Sequence, residues 1–157
     1  MYIIEVCSGV HKEAIIKAVE PSDFALLTKK RYSFNWQSLK KTTTIYKLTI
    51  KGEKDILGVM ALIDYPDESR IEIKLLASSM ENRGRNKKYE RIAGCMIAFA
   101  CDLSLKKYIK DACVSLVPKT TLLDHYKQKY YMIWNGKQLY LEGTLIDKLV
   151  IEYFHEL

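Results

Sequence analysis

The sequence holds few of the residues that interrupt a fold. Only three prolines occur, Pro21, Pro66 and Pro118, and no Pro/Gly/Ser linker, repeat or low-complexity tract divides the 157 residues. A second domain would be starved of core at this length, so one domain over residues 1–157 is expected. Cysteine is scarce and unpatterned: Cys7, Cys95, Cys101 and Cys113 form no CxxC pair, which argues for reduced thiols and against a metal site. Long apolar runs are absent too, the longest (Ala93 to Cys101) being far too short to cross a bilayer. The opening MYIIEVCSGVHKE lacks a basic region ahead of a sustained apolar stretch, so a cytoplasmic protein with no membrane partner is expected.

What is present is a full apolar complement, 48%, and an excess of cations: 25 Lys and Arg against 19 Asp and Glu, a net charge of +6. That excess favours anionic ligands without naming one.

Residues 11–20, HKEAIIKAVE, have helix-forming composition and stop at Pro21, whereas 22–41 mix aromatic and basic residues with no clean period. From Thr44 the pattern sharpens. IYKLTI alternates, KGEKD turns, ILGVMALIDY is nearly all apolar, and RIEIKLLAS alternates again, giving three consecutive antiparallel strands. Alternation puts Ile71, Ile73 and Leu75 on one face of the last strand and Glu72, Lys74 and Leu76 on the other. The basic stretch MENRGRNKKYER then opens into a helix on which Ile92, Met96, Phe99 and Leu103 recur at helical spacing. ACVSLV, ended by Pro118, reads as a buried strand pairing beside the earlier one. TTLLDHYKQKYY gives a second helix, WNGKQLYLEG a turn and strand, and TLIDKLVIEYFHEL a terminal helix. The pattern is an α/β chain built on a mixed, mostly antiparallel sheet flanked by helices.

A strand that turns through a basic loop into a helix leaves unsatisfied N–H groups and partial positive charge at the helix start, a natural seat for phosphate. Arg83, Arg85, Lys87, Lys88 and Arg91 crowd that point. Charge runs are also commonly solvated faces, so the loop alone does not establish a ligand.

With this element order the chain resembles the GNAT superfamily of N-acetyltransferases. There a pyrophosphate loop, Gln/Arg-x-x-Gly-x-Gly/Ala, joins strand four to the next helix. Within KYERIAGCMIAFAC, Lys88, Arg91 and Ala93 fall at the three named positions: Ala93 fits, Lys88 replaces Gln/Arg, and Arg91 replaces the first Gly. Downstream, VSLVPKTTLLDHYKQKYYM is similar to the strand five, helix four and Tyr-Gly-Phe-like stretch of these enzymes, so the resemblance covers about residues 44–157. FNW, IYKLTIKG, LLDHYKQKYY and DKLVIEYF further resemble a group of small bacterial GNAT proteins with no settled substrate.

The resemblance implies that strands four and five splay, and that backbone near Leu76 and Ala77 bonds the acetyl carbonyl and pantetheine amides as an added strand would. The diphosphate would lie on the N–H groups from Lys88 through Tyr89, Arg91, Ile92 and Ala93 to Gly94, with Lys87 and Arg83 as further charge partners. Gly at the position of Arg91 normally lets backbone approach the phosphates. Arg91 therefore either swings out to pair with a CoA phosphate, the favoured outcome, or obstructs the site in a protein that has lost activity. Direct attack of an amine on the thioester calls for a base and an acid. Glu72 suits the first role, against its reading as a solvated strand residue. Tyr126 corresponds to the tyrosine that protonates the CoA sulfur in related enzymes, with Tyr130 as alternate and Tyr131 standing where Gly is usual. His125 is assigned no role, and Tyr32, Phe34 and Trp36 either line an acceptor pocket or belong to the core.

The expected activity is acetyl transfer from acetyl-CoA, as co-substrate and without a metal, to a primary amine. The alternative is a catalytically silent CoA-binding or protein-interaction module of the same fold. Nucleic-acid binding through the basic loop ranks last, since no such motif is recognised and aromatics are not interleaved with the basic run. The acceptor and the oligomeric state stay open.

Overall fold

A computed structural model describes residues 1–155. Its strands are β1 (Tyr2–Glu5), β2 (His11–Ala18), β3 (Thr44–Ile50), β4 (Gly58–Tyr65), β5 (Arg70–Ser78), β6 (Tyr89–Glu90), β7 (Cys113–Leu116), β8 (Ile133–Trp134) and β9 (Leu139–Glu142). Its helices are α1 (Lys29–Tyr32), α2 (Ile92–Tyr108), α3 (Leu123–Tyr130) and α4 (Thr144–Phe154). The strands form one sheet in the order β6-β1-β2-β3-β4-β5-β7-β9-β8, antiparallel except where β5 meets β7. Among the described residues no helix is long and apolar enough to cross a membrane.

The three strands expected from Thr44 onward, and the alternation of helix and strand after them, are present as read. Residues 11–20 are a correction. The segment of helix-forming composition is strand β2, held between β1 (Tyr2↔Glu13) and β3 (Ala18↔Tyr46). Its local preference is overridden because Ile15 and Ile16 complete a ladder already begun on both sides.

The sheet buries a cluster on each face. On one, α2 and α4 cover Leu48, Met60, Leu62, Ile71 and Ile73. Cys95, Met96, Ile97, Ala98, Ala100 and Cys101 of α2 are all fully buried, since the helix lies between the sheet and α4. On the other face the segment around α1 covers Ile45, Val59, Ala61 and Ala77 with Tyr32 and Trp36, both fully buried. Tyr32 donates its hydroxyl to the Ile56 carbonyl at 2.7 Å, and Trp36 donates its indole N–H to the Tyr32 carbonyl at 3.0 Å, so neither polar group is stranded.

A register shift in the β4–β5 ladder changes the expected facing of β5. Ala61 pairs with Leu75 but Leu62 pairs with Ile73, leaving Lys74 as an extra, bulged residue. Alternation restarts past it: Leu75 and Ala77 belong to the α1 face, and Leu76 joins Ile71 and Ile73 on the α2 face. The expected grouping of Leu75 with Ile71 and Ile73 is corrected accordingly.

Candidate active site

The strands expected to splay, RIEIKLLAS and ACVSLV, are β5 and β7. They pair in parallel only from Arg70↔Cys113 to Ile73↔Leu116. Beyond Leu116, Pro118 leads the second chain away into α3, while β5 continues to Ser78 along β4. The edge of β5 from Lys74 to Ser78 is thus left without a partner strand, and a cleft of about 360 Å³ opens beside it. Val117, Pro118 and Lys119 form the facing wall; Ala93, His125 and Tyr126 close one side and Ser33 and Phe34 the other. Leu76 and Ala77 lie in this open wall.

The start of α2 meets the same cleft through Ala93. Cys95 is the first residue whose N–H reaches back within the helix, to the Arg91 carbonyl at 2.9 Å. Among the described residues the N–H groups of Ile92, Ala93 and Gly94 have no acceptor, so three donors stand at the positive end of the helix dipole. The approaching loop is tied off by Asn82, a residue the sequence reading missed. Its buried amide donates to Ser79 Oγ at 2.9 Å and accepts the Tyr89 N–H at 2.8 Å, while the Lys88 N–H reaches the Glu81 carbonyl at 3.1 Å. A buried Asn at a loop base was legible only as one more polar residue in MENRGRNKK.

Arg91 takes neither of its expected courses. It adopts a left-handed backbone, φ 80° and ψ 4°, the conformation that Gly supplies most readily. Its side chain turns to the far side of the helix: Nε donates to the Tyr2 carbonyl at 3.1 Å, an Nη to the Glu152 carbonyl at 3.3 Å, and the guanidinium packs on the rings of Tyr2 and Tyr153. As a side-chain phosphate ligand Arg91 is therefore corrected, because its donors and its charge are engaged away from the cleft. It does not obstruct the cleft wall either. Arg83 lines the cleft, but its guanidinium bonds the Ser78 and Arg31 carbonyls and pins α1 to the end of β5. Lys87 is half-buried, Lys88 exposed with its carbonyl accepting the Val6 N–H, and Tyr89 buried in β6, so both ends of the loop are built into the sheet. Gly94 packs against α4: a Cβ there would lie 2.1–2.3 Å from the Tyr153 ring.

On α3 the cleft-facing residues are Leu122 just before it, His125 and Tyr126. Burial pushes the Tyr126 hydroxyl above the ordinary tyrosine range, so it keeps its proton at neutral pH. Tyr130, the alternate, is buried in the core behind it, the rings 5.7 Å apart. Burial first, then the charges of Lys129 and Lys87, lowers His125 below its usual value. Tyr131 ends the helix in a left-handed turn, φ 60°, again where Gly is usual, and its hydroxyl donates to the Glu152 carboxylate at 2.6 Å.

Glu72 is not in the cleft wall. It sits within the closed part of the ladder, opposite Ser115 of β7 and Ile63 of β4, and accepts the Tyr65 hydroxyl at 3.4 Å. Of its expected role as a base acting directly or through water, the direct form is corrected, since the strands splay only two residues later. Of the aromatic trio, Tyr32 and Trp36 are core and Phe34 alone lines the cleft.

No protein-family model and no curated protein sequence matches the chain. Solved structures do. Mutant forms of the spermidine/spermine N-acetyltransferase SpeG from Vibrio cholerae align over 87% of this chain and 98% of theirs, with a TM-score of 0.63 at 14% identity. A Bacillus subtilis acetyltransferase in complex with CoA aligns over 83% and 99%, with a TM-score of 0.56 at 12% identity. A GNAT family acetyltransferase from Elizabethkingia anophelis with acetyl-CoA bound aligns over 82% and 97%, with a TM-score of 0.52 at 16% identity. At these identities the likeness is one of architecture, and it is enough to state that this chain has the GNAT acetyltransferase fold.

Proposed function

We propose that the protein is an acetyl-CoA-dependent N-acetyltransferase acting on a primary amine. The observation that carries the reading is the juxtaposition of an unpaired β5 edge with the unfilled N-terminus of α2, in one cleft. A pantetheine arm is an extended chain with two amides, and an open strand edge is what such a chain can pair with. A diphosphate fits three free N–H groups at a helix start, with Lys87 and Lys88 nearby. The donor set and the cleft thus suit the co-substrate, whose thioester supplies the activated acetyl group. Leu76 and Ala77 would orient that group through main-chain bonds; as the C–N bond forms and the C–S bond breaks, Tyr126 would give its proton to the departing sulfur, and the proton shed by the attacking nitrogen would restore the Tyr126 hydroxyl. No carboxylate lines the cleft among the described residues, so the amine would arrive already deprotonated from solvent.

The silent-module alternative rests on the departures at Lys88, Arg91 and Tyr131, and the Lys88 departure stands. Arg91 and Tyr131 keep the left-handed backbone that Gly would provide, which favours the enzyme. Titration calorimetry with acetyl-CoA, followed by free-thiol release over a panel of amines, tests the reading. Micromolar binding and turnover are expected, and Tyr126→Phe should lower kcat about 10²–10⁴-fold, the usual worth of a positioned acid, with acetyl-CoA affinity kept. Binding without turnover of any amine would establish the silent module instead.

A further inference from the structure

The ionisable side chains lining the cleft are Lys74, Arg83, Lys119, His125 and Tyr126, and none of them is acidic. Arg83 is committed to two carbonyls. Asp55 and Glu81 are both bonded to Arg31, the residue whose carbonyl accepts from Arg83. Lys74 and Lys119 remain. Both are exposed, and among the described residues neither has an acidic partner.

Their positions are particular. Lys74 is the bulged residue of β5, at the vertex where β5 and β7 part. Lys119 follows Pro118 on the opposite wall. The two cations flank the opening, with Phe34 and Leu75 as apolar wall beside them. Lys74 lies four residues before Ser78, roughly 13 Å along the strand at ~3.3 Å per residue, so it stands apart from the loop and helix start proposed for the diphosphate.

Resting on the transferase reading, we infer that the acceptor amine carries an anionic group, a carboxylate or a phosphate, and that Lys74 and Lys119 recognise it. A polycationic amine would meet like charges on both walls and no counter-charge. An anionic amine finds two unpaired ammonium groups where its reactive nitrogen must approach the thioester. A carboxylate and a phosphate monoester present the same chemistry to a lysine, and matched acceptors separate them.

The test uses the full chain, saturating acetyl-CoA and free-thiol release, with paired acceptors: an α-amino acid against its amide, phosphoethanolamine against ethanolamine, and spermidine. At least one acceptor with an anionic group should exceed its partner without one about tenfold in kcat/KM, mainly through KM, and spermidine should be the poorest acceptor. Lys74→Met and Lys119→Met should each reduce that ratio about threefold to fivefold, the worth of one partly exposed ion pair. The same two variants should weaken calorimetric binding of the preferred acceptor to the CoA complex, while acetyl-CoA affinity holds. Turnover that prefers uncharged amines or spermidine, or a ratio that survives both substitutions, overturns this inference alone. Failure of acetyl-CoA to bind overturns the transferase reading and the acceptor class with it.

Discussion

Replacing Arg91 with Gly and with Ala separates two accounts of the phosphate loop. In the structure the Arg91 side chain makes two hydrogen bonds to carbonyls and lies on two aromatic rings, all away from the cleft. For a half-exposed cation each hydrogen bond contributes about 1 kcal/mol and each ring contact about 0.5–1 kcal/mol, together about 3–4 kcal/mol. Against this, a left-handed backbone at a residue with a Cβ costs roughly 1 kcal/mol, which Gly recovers. Arg91→Gly should therefore lose about 2–3 kcal/mol, a fall in Tm of about 5–10 °C for a chain of this size, and Arg91→Ala about 1 kcal/mol more because the strain stays. Urea denaturation and calorimetric scanning measure both. Acetyl-CoA affinity of Arg91→Gly should stay within about threefold of the parent, since the backbone N–H groups that would hold the diphosphate are unchanged. Had the guanidinium been a phosphate ligand, losing a charged hydrogen bond of about 1.5–3 kcal/mol would weaken binding about 10–150-fold, and more steeply at low salt. That result, or an Ala variant as stable as the Gly variant, would refute the geometry argued for this turn.

Three further outcomes are expected. Gly94→Ala places a Cβ against the Tyr153 ring and should cost about 1–3 kcal/mol by overpacking, with Tyr153→Leu restoring part of it in the double variant, as chemical denaturation would report. The hydrogen bond from Arg31 outweighs burial and holds the Glu81 carboxyl at about 2, against an ordinary 4.5. Because the folded value is the lower, the stabilisation is complete above pH 4.5 and drains away as pH falls toward 2; Tm against pH should drop over that window and drop less in Arg31→Met. Glu72→Gln should leave kcat within about threefold, as its carboxylate lies outside the cleft wall, and a tenfold fall in steady-state turnover would restore it as a base.

Much of the fold was written in periodicities that survive in three dimensions. The strands from Thr44 to Ser78 and the helix from Ile92 depend on one-face burial, which alternation and helical spacing report directly. The first quarter was opaque because β2 is a strand by virtue of its neighbours, not its composition, and because the 21–39 segment folds as short turns around Tyr32 and Trp36. The β5 bulge was invisible for a related reason: no residue type marks Lys74 as the extra one, and only pairing with β4 defines it. Site residues divide along the same line. Those proposed to act through backbone, Leu76, Ala77, Ala93 and Gly94, were placed by the resemblance together with element order, and of these Leu76, Ala77 and Ala93 line the cleft. Those whose meaning lies in side-chain direction could not: the sequence does not show that the Arg91 guanidinium faces Tyr2 and Tyr153, or that Glu72 lies where β5 and β7 are still paired.

Two left-handed turns that Gly would most readily make converge on one place. Arg91, before α2, and Tyr131, after α3, are far apart in sequence, yet both adopt positive φ and both reach Glu152, one at its carbonyl and the other at its carboxylate. Tyr153 beside it stacks on Arg91 and fills the space over Gly94. Each turn alone carries a left-handed residue at a cost of roughly 1 kcal/mol, so neither would persist without contacts that over-determine it. The last turn of α4 supplies those contacts to both. A side chain in place of Gly at either turn is then a coupled feature of the fold: the last turn of the helix that covers α2 also holds the turn from which α2 starts and the turn in which α3 ends.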